Sequence, residues 1–134
     1  MLALKPSLQK KYSQQLELNP LINPKNSSDD EKFIGKLQDI INKNIHNSDL
    51  DIATLTGEIG MSKSVLYKKF SALTNQSLNN FIKVQRLKKA VELFQDGDTS
   101  VISVAIKVGF NDQKYFSKEF KKFYNLTPNE YLNN

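Results

Sequence analysis

Nine side chains carry the chemistry that can be read from this sequence. Lys63, Ser64, Tyr67 and Lys68 lie in the stretch GMSKSVLYKKF, and Gln113, Lys114, Ser117, Lys118 and Lys121 lie in GFNDQKYFSKEFKKF. Every one is a hydrogen-bond donor or a cation, and none is a carboxylate. Lysine contacts guanine N7 or O6, glutamine pairs with adenine, and tyrosine reaches a phosphate or a thymine methyl. Other chemistries find little to work with. The single histidine, His46, has no cysteine to join it in a metal site. Asp49 and Asp51 resemble a carboxylate pair only superficially, since Asp51 suits the cap of the next helix. No glycine-rich phosphate loop and no nucleophile–base pair stands out. The expectation is a non-enzyme that needs no cofactor and no metal.

The elements that must position these residues are helical. SDDEKFIGKLQDIINKNI has caps and acids at its start, with Phe33, Leu37, Ile40, Ile41 and Ile45 at helical spacing. DIATLTGEIG reads as a short helix closed by Gly60, and the next helix begins after Ser62. Ser77 and Gly97 bracket a longer helix with Phe81, Leu87, Ala90, Val91 and Phe94 as its apolar stripe. TSVISVAIKVGF is rich in β-branched residues, which on propensity alone favours a strand. TPNEYL closes the chain with a capping box and a proline at the first helical position.

A repeat decides the ambiguous segment. Leu66 and Phe116, Phe70 and Phe120, Asn75 and Asn125, Ser77 and Thr127, and Phe81 and Tyr131 are each 50 apart. Upstream the offset is 49, pairing Leu55 with Val104, Ile59 with Val108 and Gly60 with Gly109. The second copy must therefore open with a helix over Val101 to Val108, and its turn is one residue longer. Each copy is a short helix, a glycine turn and a second helix, the helix-turn-helix arrangement. Leu55, Ile59, Met61, Leu66 and Phe70 are expected to close one core, and Val104, Val108, Phe110, Phe116 and Phe120 the other. Thr56 and Ala105 mark the close approach of the paired helices.

On a helical wheel with Lys63 at zero, Leu66, Phe70 and Leu73 fall at about 280–340° and Ser64, Tyr67 and Lys68 at about 40–140°. The second copy divides alike, with Phe116, Phe120 and Phe123 opposite Gln113, Lys114, Ser117, Lys118 and Lys121. The basic face therefore occurs twice, each time after a glycine turn, and points to duplex DNA.

These motifs resemble the DNA-binding domains of AraC/XylS-type transcription regulators. IATLTGEIGMSKSVLYKKFSALTNQSLNNFIKVQRLKKAVELF is similar to the family's first helix-turn-helix and connecting helix, and VISVAIKVGFNDQKYFSKEFKKFYNLTPNEYL to its second. The resemblance implies an all-α fold of about seven helices, with two helix-turn-helix units (about 51–75 and 100–125) joined by a long linking helix (about 77–96). Residues 29–134 would form that domain, and residues 1–28 a linker or N-terminal extension. SSDDEKF and the preceding linker are similar to output domains of hybrid two-component proteins. The nine residues above would then contact DNA. Expected partners are double-stranded DNA, RNA polymerase and an upstream sensor or receiver domain, with a cytoplasmic location and no membrane contact. The chain departs from the family where Asn75 and Asn125 replace a helix-ending glycine, Leu78 a common proline and Thr56 an alanine. Asparagine tolerates the left-handed conformation a helix end needs. Arg86, the only arginine, sits at the family's RL position, where its implied role is to tie the two units together.

Bulk properties agree. The net charge is +5. Residues 1–61 hold 7 Lys+Arg against 8 Asp+Glu, and residues 62–134 hold 12 against 6, so the basic excess lies in the second half. Charge alone fits a solvated surface as well as a polyanion site. The alternatives are a basic helical module for an acidic protein partner and a non-specific nucleic-acid binder. A linking helix of 18 residues spans about 27 Å, enough with its turns to set two reading helices about one DNA turn apart.

Overall fold

The computed structural model describes residues 28–50 and 52–134. The linker or N-terminal extension expected over residues 1–28 lies outside this range except for Ser28, and so does the cap expected at Asp51. Among the described residues there are seven helices and no strand. They are α1 (Ser28–Lys43), α2 (Ile52–Ile59), α3 (Lys63–Thr74), α4 (Leu78–Gln95), α5 (Val101–Lys107), α6 (Gln113–Tyr124) and α7 (Pro128–Asn133). The pairs α2–α3 and α5–α6 are the helix-turn-helix units, and α4 joins them.

Local chemistry fixes the helix ends. Asp29, Asp30 and Glu31 occupy the first turn of α1 and Lys43 its last, each complementing the helix dipole. Ser62, Ser77 and Ser100 accept from the backbone N–H three residues on, at 3.4, 3.1 and 3.1 Å. Thr127 and Glu130 form the expected capping box. Asn75 and Asn125 end α3 and α6 at φ 58° and 66°, the left-handed conformation anticipated for them. The β-branched segment is helical over Val101–Lys107, with Val108 as its C-cap. Burial of Val101, Val104, Ala105 and Val108 outweighs its strand propensity.

The interior is two cores. The first takes Phe33, Ile34, Leu37, Ile40, Ile41 and Ile45 from α1 and the turn after it, Leu55 from α2, Leu66 and Phe70 from α3, and Leu78 and Phe81 from the start of α4. The second takes Leu87, Ala90, Val91 and Phe94 from the rest of α4, with α5, α6 and Tyr131 of α7. Copy two packs as expected, with Val104, Val108, Phe110, Phe116 and Phe120 all buried. Copy one is looser. Ile59 and Met61 are only half-buried against its core. Thr56, half-buried, turns its hydroxyl back to the Ala53 carbonyl at 3.2 Å. Phe123, expected on the same side of the helix as Phe116 and Phe120, is half-buried, and Tyr124 takes the interior place instead. Residues 116, 120 and 124 recur every four positions and stay on one line of the helix, and residue 123 falls beside that line.

Between the cores, α4 buries Gln85 and Arg86. Arg86 Nη1 donates to the carbonyls of Ile45 (3.2 Å), Val108 (3.2 Å) and Gly109 (2.6 Å), and Nη2 to that of Asn47 (2.9 Å). Two of these carbonyls belong to the turn after α1 and two to the turn of the second unit. One side chain thus ties both units to α4, as the resemblance implied.

The tie explains Gly109. A Cβ there would fall on the Arg86 guanidinium and the Ile45 carbonyl oxygen. Gly60, its repeat equivalent, has nothing within 4 Å of such a Cβ. Both have positive φ, 92° and 77°. Gly60→Ala should therefore cost only the backbone term, about 1–2 kcal/mol. Gly109→Ala should also displace the buried charge and cost at least about 3 kcal/mol. Urea unfolding of the two variants checks this; equal losses would show that the Arg86 cluster does not constrain the turn.

Candidate nucleic-acid interface

α3 and α6 are 12 residues each and start from side-chain caps, Ser62 and Asp112. Their buried lines are Leu66, Phe70 and Thr74 in one and Phe116, Phe120 and Tyr124 in the other. The opposite sides are exposed: Ser64, Val65, Lys68, Ser71 and Ala72 on α3, and Lys114, Tyr115, Lys118, Lys121 and Lys122 on α6. The two sets match position for position at an offset of 50.

Six of the nine sequence-derived residues are exposed and three are half-buried. Lys63, Ser64, Lys68, Lys114, Lys118 and Lys121 are exposed. Gln113 and Ser117 are half-buried at the margin of α6. Tyr67 departs from expectation. It is half-buried and packs against the first core, with Lys63 Nζ 5.7 Å from its ring centroid. The reason is rotational. Thr74 and Tyr124 extend the buried lines to one side, which centres the outward face on Lys68 and Lys118 and leaves positions 67 and 117 at its edge. Sequence reasoning missed Val65, Ser71, Ala72, Tyr115 and Lys122 for the same reason. The signal was the four-residue recurrence that includes residues 74 and 124.

The seats of the two helices differ. Lys69 Nζ lies 4.4 Å from the Phe33 ring centroid, a cation–π contact that holds α3 against α1. The equivalent residue on α6 is Glu119, 5% exposed, which accepts from Lys83 of α4 at 2.8 Å and lies 3.6 Å from Lys122. The Lys83 hydrogen bond lowers the Glu119 pKa from the ordinary carboxylate value, opposing the desolvation that would raise it. Sequence reasoning did not single out this pair. Beside it, a recess of about 490 Å³ opens between α4 and the start of α6, lined in part by Asn79, Lys83, Asn111 and Asp112. Arg86 borders it, but its donors already face the four backbone carbonyls. His46 is exposed in the turn after α1.

Charge is unequal across the two faces. The outward set on α3 contains one lysine, Lys68, with Lys63 at the helix start. The outward set on α6 contains four: Lys114, Lys118, Lys121 and Lys122. No described helix is long and apolar enough to cross a membrane.

Comparison with known proteins places this geometry. A family model described as a helix-turn-helix domain matches residues 55–134. The chain is 37% identical over 107 residues to histidine kinase P4 of Formosa agariphila, a match that covers 80% of this chain and only 8% of that protein. The C-terminal domain of AraT, a response regulator from Geobacillus stearothermophilus, superposes with a TM-score of 0.68 at 26% identity, covering 75% of this chain and 84% of that one. A DNA-binding transcriptional dual regulator from Escherichia coli K-12 gives 0.69 at 28% identity, covering 75% and 89%.

The Lys83–Glu119 pair gives the seat of α6 an acid limit. Because the folded-state pKa is depressed, its stabilisation is present above the ordinary carboxylate pKa and is lost as pH falls through the folded value. Glu119→Gln should cost about 1–3 kcal/mol at neutral pH, and the gap to the parent chain should close under acid conditions. Thermal unfolding across pH reads both. A gap that persists undiminished in acid would mean that packing, not charge, seats the helix.

Proposed function

The chain belongs to the AraC-type family of helix-turn-helix transcription regulators, and on that premise we propose that it binds a specific DNA duplex with α3 and α6 and thereby regulates transcription. One observation carries this reading. An exposed outward face occupies the same positions on both helices, with Lys68 and Lys118 at its centre, and α4 with Arg86 holds the two helices in a fixed relation. A helix-turn-helix places the start of its second helix in the major groove. The 18 residues of α4 span about 27 Å, which suits two successive major-groove segments on one side of the duplex.

Within this reading, Lys63, Ser64, Lys68, Gln113, Lys114, Ser117, Lys118 and Lys121 contact bases or phosphates, and Tyr67 acts from the edge of its face. Lysines supply the phosphate contacts that fix register. With the only arginine engaged by carbonyls, no arginine fork reads guanine, and phosphate contacts carry a large share of the affinity. The chain acts as the output domain of a longer signal-responsive protein, with a sensor or receiver domain upstream and RNA polymerase as a partner. Its likeness to part of a histidine kinase and to the C-terminal domain of a response regulator supports that arrangement. Such a domain works in the cytoplasm, where the DNA is, and the reading assigns it no enzymatic role.

Selection from a random duplex pool followed by a salt titration tests the proposal. One duplex should be retained over its scrambled version at physiological salt. Equal, salt-sensitive binding to any polyanion would refute sequence reading. Lys68→Ala and Lys118→Ala should each weaken the selected duplex by roughly five- to tenfold with helicity unchanged. Unaltered affinity in both would show that these helices are not the readers.

A further inference from the structure

Four large apolar side chains are exposed among the described residues: Val65, Ile102, Ile106 and Tyr115. Two of them, Val65 at 52% and Tyr115 at 49%, stand at one and the same position of the two reading helices. Each is the third residue after its cap, Ser62 or Asp112. Each lies on the outward side, between polar neighbours: Ser64 and Lys68 for Val65, Lys114 and Lys118 for Tyr115. Neither side chain belongs to either core cluster. Valine is a weaker helix former than lysine or alanine. The cores are closed by residues 66 and 70 and by residues 116 and 120, which are fully buried. The Tyr115 ring is also held in place, tilted on Phe110 with centroids 5.8 Å apart. Phe110 in turn packs on Phe116 at 5.1 Å. An apolar surface fixed in the first turn of a helix-turn-helix reading helix lies where base edges are contacted.

We infer that Val65 and Tyr115 are specificity-determining residues that read thymine through its C5 methyl, one in each half of the site. The inference rests on the proposed duplex reading and adds which base feature the apolar positions select. In the major groove the thymine methyl is the one apolar group on a base edge, so an apolar side chain there discriminates thymine from cytosine without a hydrogen bond. This chain has no arginine fork to read guanine, so the methyl contacts supply discrimination that its lysines do not. For Tyr115 the ring face makes the contact and the hydroxyl is not required.

The test uses the whole chain and the duplex it selects from a random pool. Each thymine in turn is replaced by deoxyuridine, which removes only the methyl, and affinity is measured at fixed salt. At least one replacement in each half should weaken the parent chain about fourfold, the factor for one buried carbon group. Val65→Ser should abolish the sensitivity in one half and Tyr115→Ser in the other, while Tyr115→Phe keeps it. Val65 is exposed enough for its variant to fold, and Tyr115→Phe keeps the ring packing if Tyr115→Ser does not fold. If no deoxyuridine position costs affinity, if Val65→Ser and Tyr115→Ser keep the parent's sensitivity in both halves, or if Tyr115→Phe loses it, the inference is overturned while duplex reading stands. If no duplex is selected at all, the proposed function falls, and this inference falls with it.

Discussion

One guanidinium holds this molecule in register. Arg86 lies in the waist of α4, where a buried cation costs free energy unless its donors are satisfied. Four backbone carbonyls satisfy them, two from the turn after α1 and two from the turn between α5 and α6. Charge-assisted hydrogen bonds of this kind are stronger than neutral ones, and the fork geometry fixes direction as well as distance. The apolar interior does not perform this task, because it is divided into two separate clusters. The clusters set the shape of each unit. Arg86 and the rigid α4 set how the units face each other, and therefore how the outward faces of α3 and α6 are disposed.

Much of this was legible in the chain, for physical reasons. The duplicated spacing of Leu66, Phe70 and Asn75 with Phe116, Phe120 and Asn125 reports a unit that must bury the same line twice. That repetition overrode the strand propensity of residues 101–108, where single-residue preferences pointed the wrong way. Caps were readable because Ser62, Ser77 and Thr127 act on their own local backbone. The outward faces were read with a rotational error. Apolar type was taken as the mark of burial, so Leu73 and Phe123 stood in for Thr74 and Tyr124, which lie on the buried line. The same error kept Val65 and Tyr115 out of the candidate set and put Tyr67 fully in it.

What stayed hidden depends on partners far along the chain. Glu119 has the sequence context of a surface charge. It is buried because Lys83, 36 residues earlier, reaches it across the α4–α6 contact. The partners of Arg86 are backbone atoms, whose identity leaves no trace in residue type. Gly109 looked like a turn glycine equal to Gly60. In the folded chain the two differ, since one faces open space and the other lies under the guanidinium.

The unequal lysine content of α3 and α6 has a consequence of its own. A regulator assembled from two identical subunits about a two-fold axis looks the same whichever way it is turned along DNA. Here one chain carries a lightly charged face and a heavily charged one, and α4 joins them in a single order. Such a molecule has a head and a tail. On the proposed reading, reversing it on the same duplex would exchange the two faces, so its position on DNA would be a vector, with an upstream side and a downstream side that are not interchangeable.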